Sequence, residues 1–253
     1  MDRRSLVLLH PLGADRSFWD PLIGHLTGLR VRALDLPGHG AAPLPAEGLT
    51  IARAADAVLA ELDRDGGGPV DLLGLSIGGL VAQHIAAHDP ERVGRLVLAD
   101  TVARYPESLR EQWRSRARTA RTAGTAAFVE PTLQTWFTPG FADSGAAAVR
   151  YARTAIAGCD PEGYAQACEA LEAADTRPYV ARIVVPTLVL CGRDDGPAFV
   201  EGAEWLARTI PEARLEWVPG KHACAVENPT AVAAVLRAFL GSRDEAVTGP
   251  PPD

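Results

Sequence analysis

Short, continuous apolar runs recur along this chain and alternate with longer segments of helical spacing. Runs of this kind, rich in Val, Ile and Leu, are typical of strands that are buried on both faces. The runs lie at residues 5–10, 31–36, 70–76, 95–100, 187–192 and 214–219, and the helical segments at 50–65, 78–88, 199–209 and 230–240. The alternation predicts an α/β fold built on a mainly parallel, doubly wound sheet, whose ligands bind at the carboxyl ends of the strands.

One long segment interrupts this alternation. Residues 104–180 contain no convincing strand and instead carry Arg, Ala and aromatic residues in helix-like stretches. We therefore predict a core formed by residues 1–103 and 181–242, with residues 104–180 inserted as a helical cap. Residues 243–253 are polar and end in prolines, a composition that predicts a disordered tail.

The composition argues against several classes of partner. The chain has 25 Lys and Arg against 32 Asp and Glu, and this net charge of −7 gives no basis for binding nucleic acid. No apolar run reaches the roughly 18 residues of a membrane helix, and the start lacks a signal-peptide pattern, so we expect a cytoplasmic protein without a membrane partner. The four cysteines form no C-x-x-C pair, so neither a disulfide framework nor a metal site is predicted.

The strongest chemical motif is Gly74-Leu75-Ser76-Ile77-Gly78-Gly79, which stands where a predicted strand ends and a predicted helix begins. A serine on such a sharp turn projects its hydroxyl over the sheet, and the flanking glycines avoid collisions with neighbouring backbone. The N–H of Ile77 then lies at a helix N-terminus, where it can stabilise a developing oxyanion. The alternative interpretation is a glycine-rich turn whose serine has no catalytic role.

A serine hydroxyl needs a general base, and two later loops supply candidates. His222 follows one predicted strand, and Asp194 and Asp195 follow another, so both loops project toward the same sheet edge as Ser76. His222 would take the proton of Ser76 and pass it to the leaving group, while an aspartate would fix the imidazole tautomer. Three of the other histidines, His25, His84 and His88, lie in helical segments. The remaining two, His10 and His39, follow or lie near predicted strand ends but come too early for the chain order Ser, acid, His.

These motifs resemble those of the α/β-hydrolase superfamily, and the resemblance runs from Ser5 to Leu240. It implies the α/β-hydrolase fold, with a catalytic triad of Ser76, Asp195 and His222. In that family the acid is the last residue of Gly-x-x-Asp, which favours Asp195 over Asp194. Asp100, at the end of the preceding strand, is a rarer position for the acid and stays as an alternative.

The resemblance also implies a second oxyanion donor. The loop at residues 9–13 resembles the family's His-Gly loop, which makes the Leu12 N–H the donor beside that of Ile77. Pro11 stands where the family has Gly, but the donor is the next residue, so the hole survives the loss of one N–H. Relatives usually carry one or two antiparallel strands before the first strand found here. We therefore expect a shorter sheet, and a monomer or a homodimer formed through the exposed edge.

Three stretches, at residues 11–21, 136–141 and 161–171, resemble 3-oxoadipate enol-lactonases. That resemblance implies hydrolysis of a small lactone with a carboxylate tail, without a metal or an organic cofactor. A buried carboxylate needs a cation or donors, and Arg16, beside the oxyanion loop, is the nearest candidate in sequence. Trp136 is the expected pocket wall. The other candidates for the cation are the cap arginines Arg114, Arg118 and Arg121.

Two other functions stay open from the sequence. A general carboxylesterase would use the same triad, and a lyase or cyclase of a biosynthetic pathway would use Ser76 and His222 as acid and base without an acyl-enzyme. Lys221 precedes His222 at a position where a small residue is common among relatives, which weakens the inference about the substrate.

Overall fold

The six apolar runs form one sheet. The computed structural model describes residues 4–64 and 66–241, and the predicted tail at 243–253 lies outside them. The strands are β1 (Leu6–Leu9), β2 (Val31–Leu34), β3 (Val70–Leu75), β4 (Val93–Ala99), β5 (Thr187–Gly192) and β6 (Arg214–Val218). All pairings are parallel in the order β2-β1-β3-β4-β5-β6, with no antiparallel strand among the described residues. The predicted fold class is confirmed, and the first described strand is the one that precedes the loop containing Leu12.

Burial on both faces explains why the strand sequences are continuously apolar and do not alternate between apolar and polar residues. Every residue of β1, β3 and β5 is buried, so both faces of these strands need apolar side chains. The outer strands β2 and β6 are more exposed and carry charged residues such as Arg32 and Glu216. The hydrophobic core therefore lies along the inner strands and the helices that cover them.

Eleven α-helices are formed by the described residues. They are α1 (Asp20–Ile23), α2 (Ile51–Arg64), α3 (Ile77–His88), α4 (Glu107–Ala123), α5 (Val129–Trp136), α6 (Pro139–Ala142), α7 (Ala147–Gly158), α8 (Pro161–Ala173), α9 (Pro197–Thr209), α10 (Cys224–Glu227) and α11 (Pro229–Gly241). None of the helices in the described ranges is long and apolar enough to cross a membrane. The helices predicted at 50–65, 78–88, 199–209 and 230–240 correspond to α2, α3, α9 and α11.

The strand order reverses between β1 and β3. From β1 the chain passes outward to β2, and from β2 it returns across β1 to β3, so the loops that follow β1 and β3 diverge from adjacent strand ends. Such a switch point leaves a crevice at the carboxyl ends of the strands, where α/β proteins bind their ligands. The loop that contains Leu12 follows β1, and Ser76 follows β3.

Five helices, α4 to α8, lie between β4 and β5, where the sequence predicts the cap. Helix α4 packs along α8, and an isolated antiparallel bridge between Arg104 and Asp175 joins the two ends of the insertion. The Arg104 guanidinium also pairs with the Asp175 carboxylate, with Nε 3.5 Å from Oδ2. The boundaries of the cap at residues 104 and 180 stay a prediction.

Candidate active site

Ser76 occupies a strained turn between β3 and α3. Its φ of 58° and ψ of −116° place a non-glycine residue in a region that L-residues rarely adopt. The flanking glycines make this turn possible. A Cβ on Gly74 would stand 2.1 Å from the Gly78 carbonyl oxygen, and a Cβ on Gly78 would stand 2.4 Å from the Leu9 carbonyl oxygen. Larger residues would therefore separate the turn from β1.

Hydrogen bonds hold the backbone of Ser76 from both sides. Its N–H donates to the Ala99 carbonyl at 3.1 Å, and its carbonyl accepts from the Thr101 hydroxyl at 2.8 Å. The same carbonyl accepts the Leu80 N–H at 3.2 Å and so begins α3. Ser76 is 5% exposed. The position of the serine is thus set by β4 and α3 as well as by β3.

His222 and Asp195 form a buried pair at the same edge of the sheet. The imidazole Nδ1 lies 2.9 Å from Asp195 Oδ2, and Asp195 Oδ1 accepts the Gly196 N–H at 2.7 Å. Asp195 follows β5 and His222 follows β6, while the Phe199 ring lies 4.2 Å from the imidazole, centre to centre. With Nδ1–H donated to a carboxylate, Nε2 is the nitrogen that can accept a proton.

Opposing effects set the basicity of His222. Burial lowers the pKa of its imidazole, but the opposing effects, chiefly the negative charge of Asp195 and the hydrogen bond to it, together outweigh burial, so the pKa is raised. The result is a stronger base than a free imidazole. This arrangement suits a group that takes a proton from a hydroxyl and holds it during a reaction.

The three aspartates considered for the acid occupy different environments. Asp194 is exposed, whereas Asp195 contacts His222 directly. Asp100 is fully buried behind the pair and accepts the Gly192 N–H at 2.7 Å and the Cys224 thiol at 3.0 Å. Burial and then the charge of Asp195 raise the pKa of Asp100 to about 8, so it carries a proton at neutral pH.

One group of potential metal ligands includes this carboxylate. Donor atoms of Asp100, Cys191 and Asp195 all lie within 4.8 Å of one another, and all three residues are buried. Both carboxylates have other partners, however, since Asp195 binds His222 and Asp100 binds Gly192 and Cys224. Burial also raises the pKa of the Cys191 thiol above its ordinary range, which disfavours the thiolate that a metal needs. These three residues are therefore better suited to supporting the His222–Asp195 pair through hydrogen bonds and packing than to binding a metal ion.

The two proposed oxyanion donors lie at the switch point. Leu12 and Ile77 are buried, and neither backbone N–H donates to an acceptor in the described parts of the chain.

His10 holds the oxyanion loop at residues 9–13 through hydrogen bonds. The Leu36 N–H donates to its Nε2 at 2.9 Å, so Nδ1 carries the proton and donates to the Pro11 carbonyl at 2.8 Å. Burial lowers the pKa of His10 to about 4, which keeps it neutral.

Trp136 lies beside the loop at residues 219–223 that carries His222, here called the histidine loop, whereas Arg16 does not. The Trp136 carbonyl accepts the N–H of Ala223, the residue after His222, at 2.9 Å, and its ring meets Phe18 edge-on at 5.4 Å. Arg16 is exposed and lines a groove with residues of β2 and α2, and its backbone N–H donates to the Asp35 carboxylate at 2.7 Å. The structure therefore brings Trp136, but not the Arg16 guanidinium, next to the residues around His222.

The cap holds the histidine loop at further points. The Lys221 ammonium donates to the Gln134 carbonyl in α5. Glu227, at the end of α10, accepts the Thr138 N–H at 3.1 Å and the Thr138 hydroxyl. Lys221 thus connects the histidine loop to the cap.

Tyr105 is a site residue that the sequence analysis missed. It follows β4, is 1% exposed, and its hydroxyl has no hydrogen-bond partner among residues 4–64 and 66–241. Burial raises the pKa of this phenol, and the nearby Ser76 side chain opposes part of the rise. A neutral donor near Ser76 is therefore available to a ligand. Its place after a predicted strand was the available signal, but the burial of its hydroxyl is a tertiary feature.

Comparison with known proteins identifies close relatives. Residues 6–235 match the model of the alpha/beta hydrolase family. The chain is 33% identical to 3-oxoadipate enol-lactonase 2 of Acinetobacter baylyi, over 94% of this chain and 90% of that protein. It is also 33% identical to the pimeloyl-[acyl-carrier protein] methyl ester esterase of Neisseria meningitidis, over 94% and 93% of the two chains. The structure of the enol-lactonase from Burkholderia xenovorans superposes with a TM-score of 0.90 at 33% identity, over 96% and 93%.

Proposed function

Because this chain belongs to the alpha/beta hydrolase family, we propose that it hydrolyses a small lactone or carboxylic ester, with Ser76 as the nucleophile. One observation carries the proposal. The buried His222–Asp195 pair, 2.9 Å apart, lies at the sheet edge where Ser76 occupies its strained turn. A serine, a base and an orienting acid are the groups that acyl transfer through a hydroxyl requires.

In the proposed first step, His222 Nε2 removes the proton of the Ser76 hydroxyl as Oγ attacks the carbonyl carbon of the substrate. The negative charge that develops on the carbonyl oxygen is stabilised by the N–H groups of Leu12 and Ile77. Asp195 keeps the proton on Nδ1 and stabilises the imidazolium. The imidazolium then gives its proton to the leaving oxygen, the carbon–oxygen bond breaks, and Ser76 becomes an acyl ester.

The second step reverses these roles with water. His222 takes a proton from a water molecule, which attacks the acyl carbon, and the same oxyanion donors stabilise the charge. The Ser76 oxygen leaves and regains its proton from His222. In a lactone the acyl and leaving groups belong to one molecule, so a single hydroxy or keto acid is released.

The substrate we propose first is 3-oxoadipate enol-lactone. The similarity to 3-oxoadipate enol-lactonase 2 and the TM-score of 0.90 with an enol-lactonase support this choice. A carboxylic ester is the second candidate, because a methyl ester esterase is equally identical to this chain. Sequence identity alone therefore supports ester hydrolysis as the reaction but does not distinguish between these two substrates.

Turnover by the purified protein and by Ser76→Ala tests the proposal. We expect fast hydrolysis of 3-oxoadipate enol-lactone, weaker hydrolysis of p-nitrophenyl acetate, and a loss of roughly 10⁶-fold for both in the variant. Activity on the acetate alone would identify a general carboxylesterase. Near-normal turnover by Ser76→Ala would refute the covalent mechanism. Inactivity on both substrates would favour the lyase or cyclase alternative.

A further inference from the structure

Arg116 is placed differently from the other charged residues of the cap. It lies on α4, half-buried, and its guanidinium Nη1 donates to the Tyr164 hydroxyl at 3.1 Å. Its Cζ lies 5.3 Å from the centres of the Trp113 and Phe128 rings, within the range of cation–π contacts. Three aromatic side chains therefore surround a permanent positive charge.

No carboxylate within residues 4–64 and 66–241 forms an ion pair with this charge. Several other cap arginines form ion pairs, such as Arg110 with Glu172 at 3.0 Å and Arg121 with Glu162 at 2.8 Å, and Arg118, which forms none in the described parts of the chain, is exposed to solvent. Arg116 has no such partner in the described parts of the chain, and one of its five N–H donors is used by Tyr164. Charged side chains removed from water are ordinarily paired, so the free donors of Arg116 are available to an anion.

Tyr164 connects Arg116 to the oxyanion loop at residues 9–13. This hydrogen-bond partner of Arg116 packs on the oxyanion loop so closely that a Cβ on Gly13 would lie 3.2 Å from the Tyr164 ring.

We infer that Arg116 binds a carboxylate of the substrate, on the part of the molecule that extends from Ser76 into the cap. The planar guanidinium donates two parallel hydrogen bonds to a carboxylate, and the aromatic rings around it strengthen the contact by excluding water. The inference rests on the proposed ester hydrolysis and specifies its substrate class, an ester or lactone with an anionic group away from the scissile bond. It assigns this role to Arg116 instead of Arg16, Arg114, Arg118 or Arg121.

Two esters with the same acyl chain length and leaving group provide the test. Mono-4-nitrophenyl adipate ends in a carboxylate, and 4-nitrophenyl hexanoate ends in a methyl group. We expect Arg116→Gln to lower the ratio of kcat/KM for adipate over hexanoate by about 10- to 100-fold, mainly through KM. Arg118→Gln, on the exposed face of the same helix, is the matched control and should leave the ratio unchanged.

A second variant distinguishes the loss of the positive charge from a loss of folding. Arg116→Met keeps the apolar contact with Trp113 and Phe128 but removes the charge, and it should lower the ratio as Arg116→Gln does. Thermal unfolding shows which variants are folded. An unchanged ratio in a folded Arg116 variant, or an equal fall in Arg118→Gln, would overturn the inference.

Calorimetric binding of adipate separates this inference from the proposed function. Adipate should bind the wild-type protein and lose about 10- to 100-fold in affinity in the Arg116 variants, whether or not esters are hydrolysed. If neither ester is hydrolysed but adipate binding depends on Arg116, the hydrolase proposal fails and the carboxylate site stands. Hydrolysis without any effect of Arg116 on the ratio or on adipate binding would leave the hydrolase and remove the site.

Discussion

Two buried carboxylates lie near His222, and their environments separate their roles. Asp195 hydrogen-bonds the imidazole directly, whereas burial and then the charge of Asp195 raise the pKa of Asp100 to about 8. Two adjacent buried carboxylates rarely ionise together, because each charge disfavours the other. Asp100 therefore serves as a hydrogen-bonding support for the β5 loop rather than as a second acid.

Amide substitutions distinguish the two aspartates. Asp195→Asn removes the charge that orients His222, and we expect kcat to fall by about 10⁴-fold. Asp100→Asn replaces a neutral acid with a neutral amide that can still accept the Gly192 N–H, so kcat should stay within about tenfold of the wild type at pH 7. Steady-state kinetics with either ester measures both. A larger loss in Asp100→Asn than in Asp195→Asn would reverse the assignment.

At the scale of elements, the serine turn depends on how closely α3 approaches β1. Gly78 is the point of contact: an added Cβ would meet the Leu9 carbonyl oxygen, and since the backbone fixes both positions, no rotamer change can relieve the clash. The helices of the cap approach the histidine loop from the other side through Gln134, Trp136 and Thr138. The site is thus held between core and cap.

Alanine substitutions of two helical glycines test this packing. Gly78→Ala forces a methyl group to 2.4 Å from the Leu9 carbonyl oxygen, and we expect the free energy of unfolding to fall by about 2–3 kcal/mol. Gly158→Ala, at the end of α7, meets nothing within 4 Å and should raise stability by up to about 1 kcal/mol. Urea unfolding of both variants gives the comparison. Equal effects of the two substitutions would contradict the account.

For the molecule as a whole, the sequence predicted the fold better than the pocket. Hydrophobic periodicity located all six strands, and the turn around Ser76 was recognisable because its glycines serve a local backbone need. Tyr105 and Arg116 were missed because an unpartnered hydroxyl or an unpaired charge is defined by residues distant in the chain. Arg16 was proposed from nearness in sequence, yet the oxyanion loop carries it to the exposed surface.

Buried histidines couple the stability of the whole chain to pH. Burial and then the neighbouring His10 lower the pKa of His39 to about 3, whereas an unfolded chain titrates near 6.5. Between these values only the unfolded chain binds the proton, so its protonation favours unfolding and stability falls as the pH falls. Each such group contributes up to about 1.4 kcal/mol per pH unit.

The variant His39→Gln isolates this effect. It should be less stable than the wild type at pH 7.5, but the difference should narrow from pH 6.5 down to 4.5, because only the wild type loses stability through His39. Urea unfolding at several pH values measures the difference in the free energy of unfolding. A constant difference across this range would show that His39 does not resist protonation in the folded chain.

The central claim is that Ser76 forms an acyl ester during turnover. The most direct measurement mixes the protein with p-nitrophenyl acetate, quenches within milliseconds, and reads the mass of the peptide that contains Ser76. We predict that this peptide gains one acetyl group together with a burst of p-nitrophenol, and that Ser76→Ala shows neither. Hydrolysis with no acetyl group on the wild-type peptide at any quench time, or with acetylation at another residue, would contradict the account.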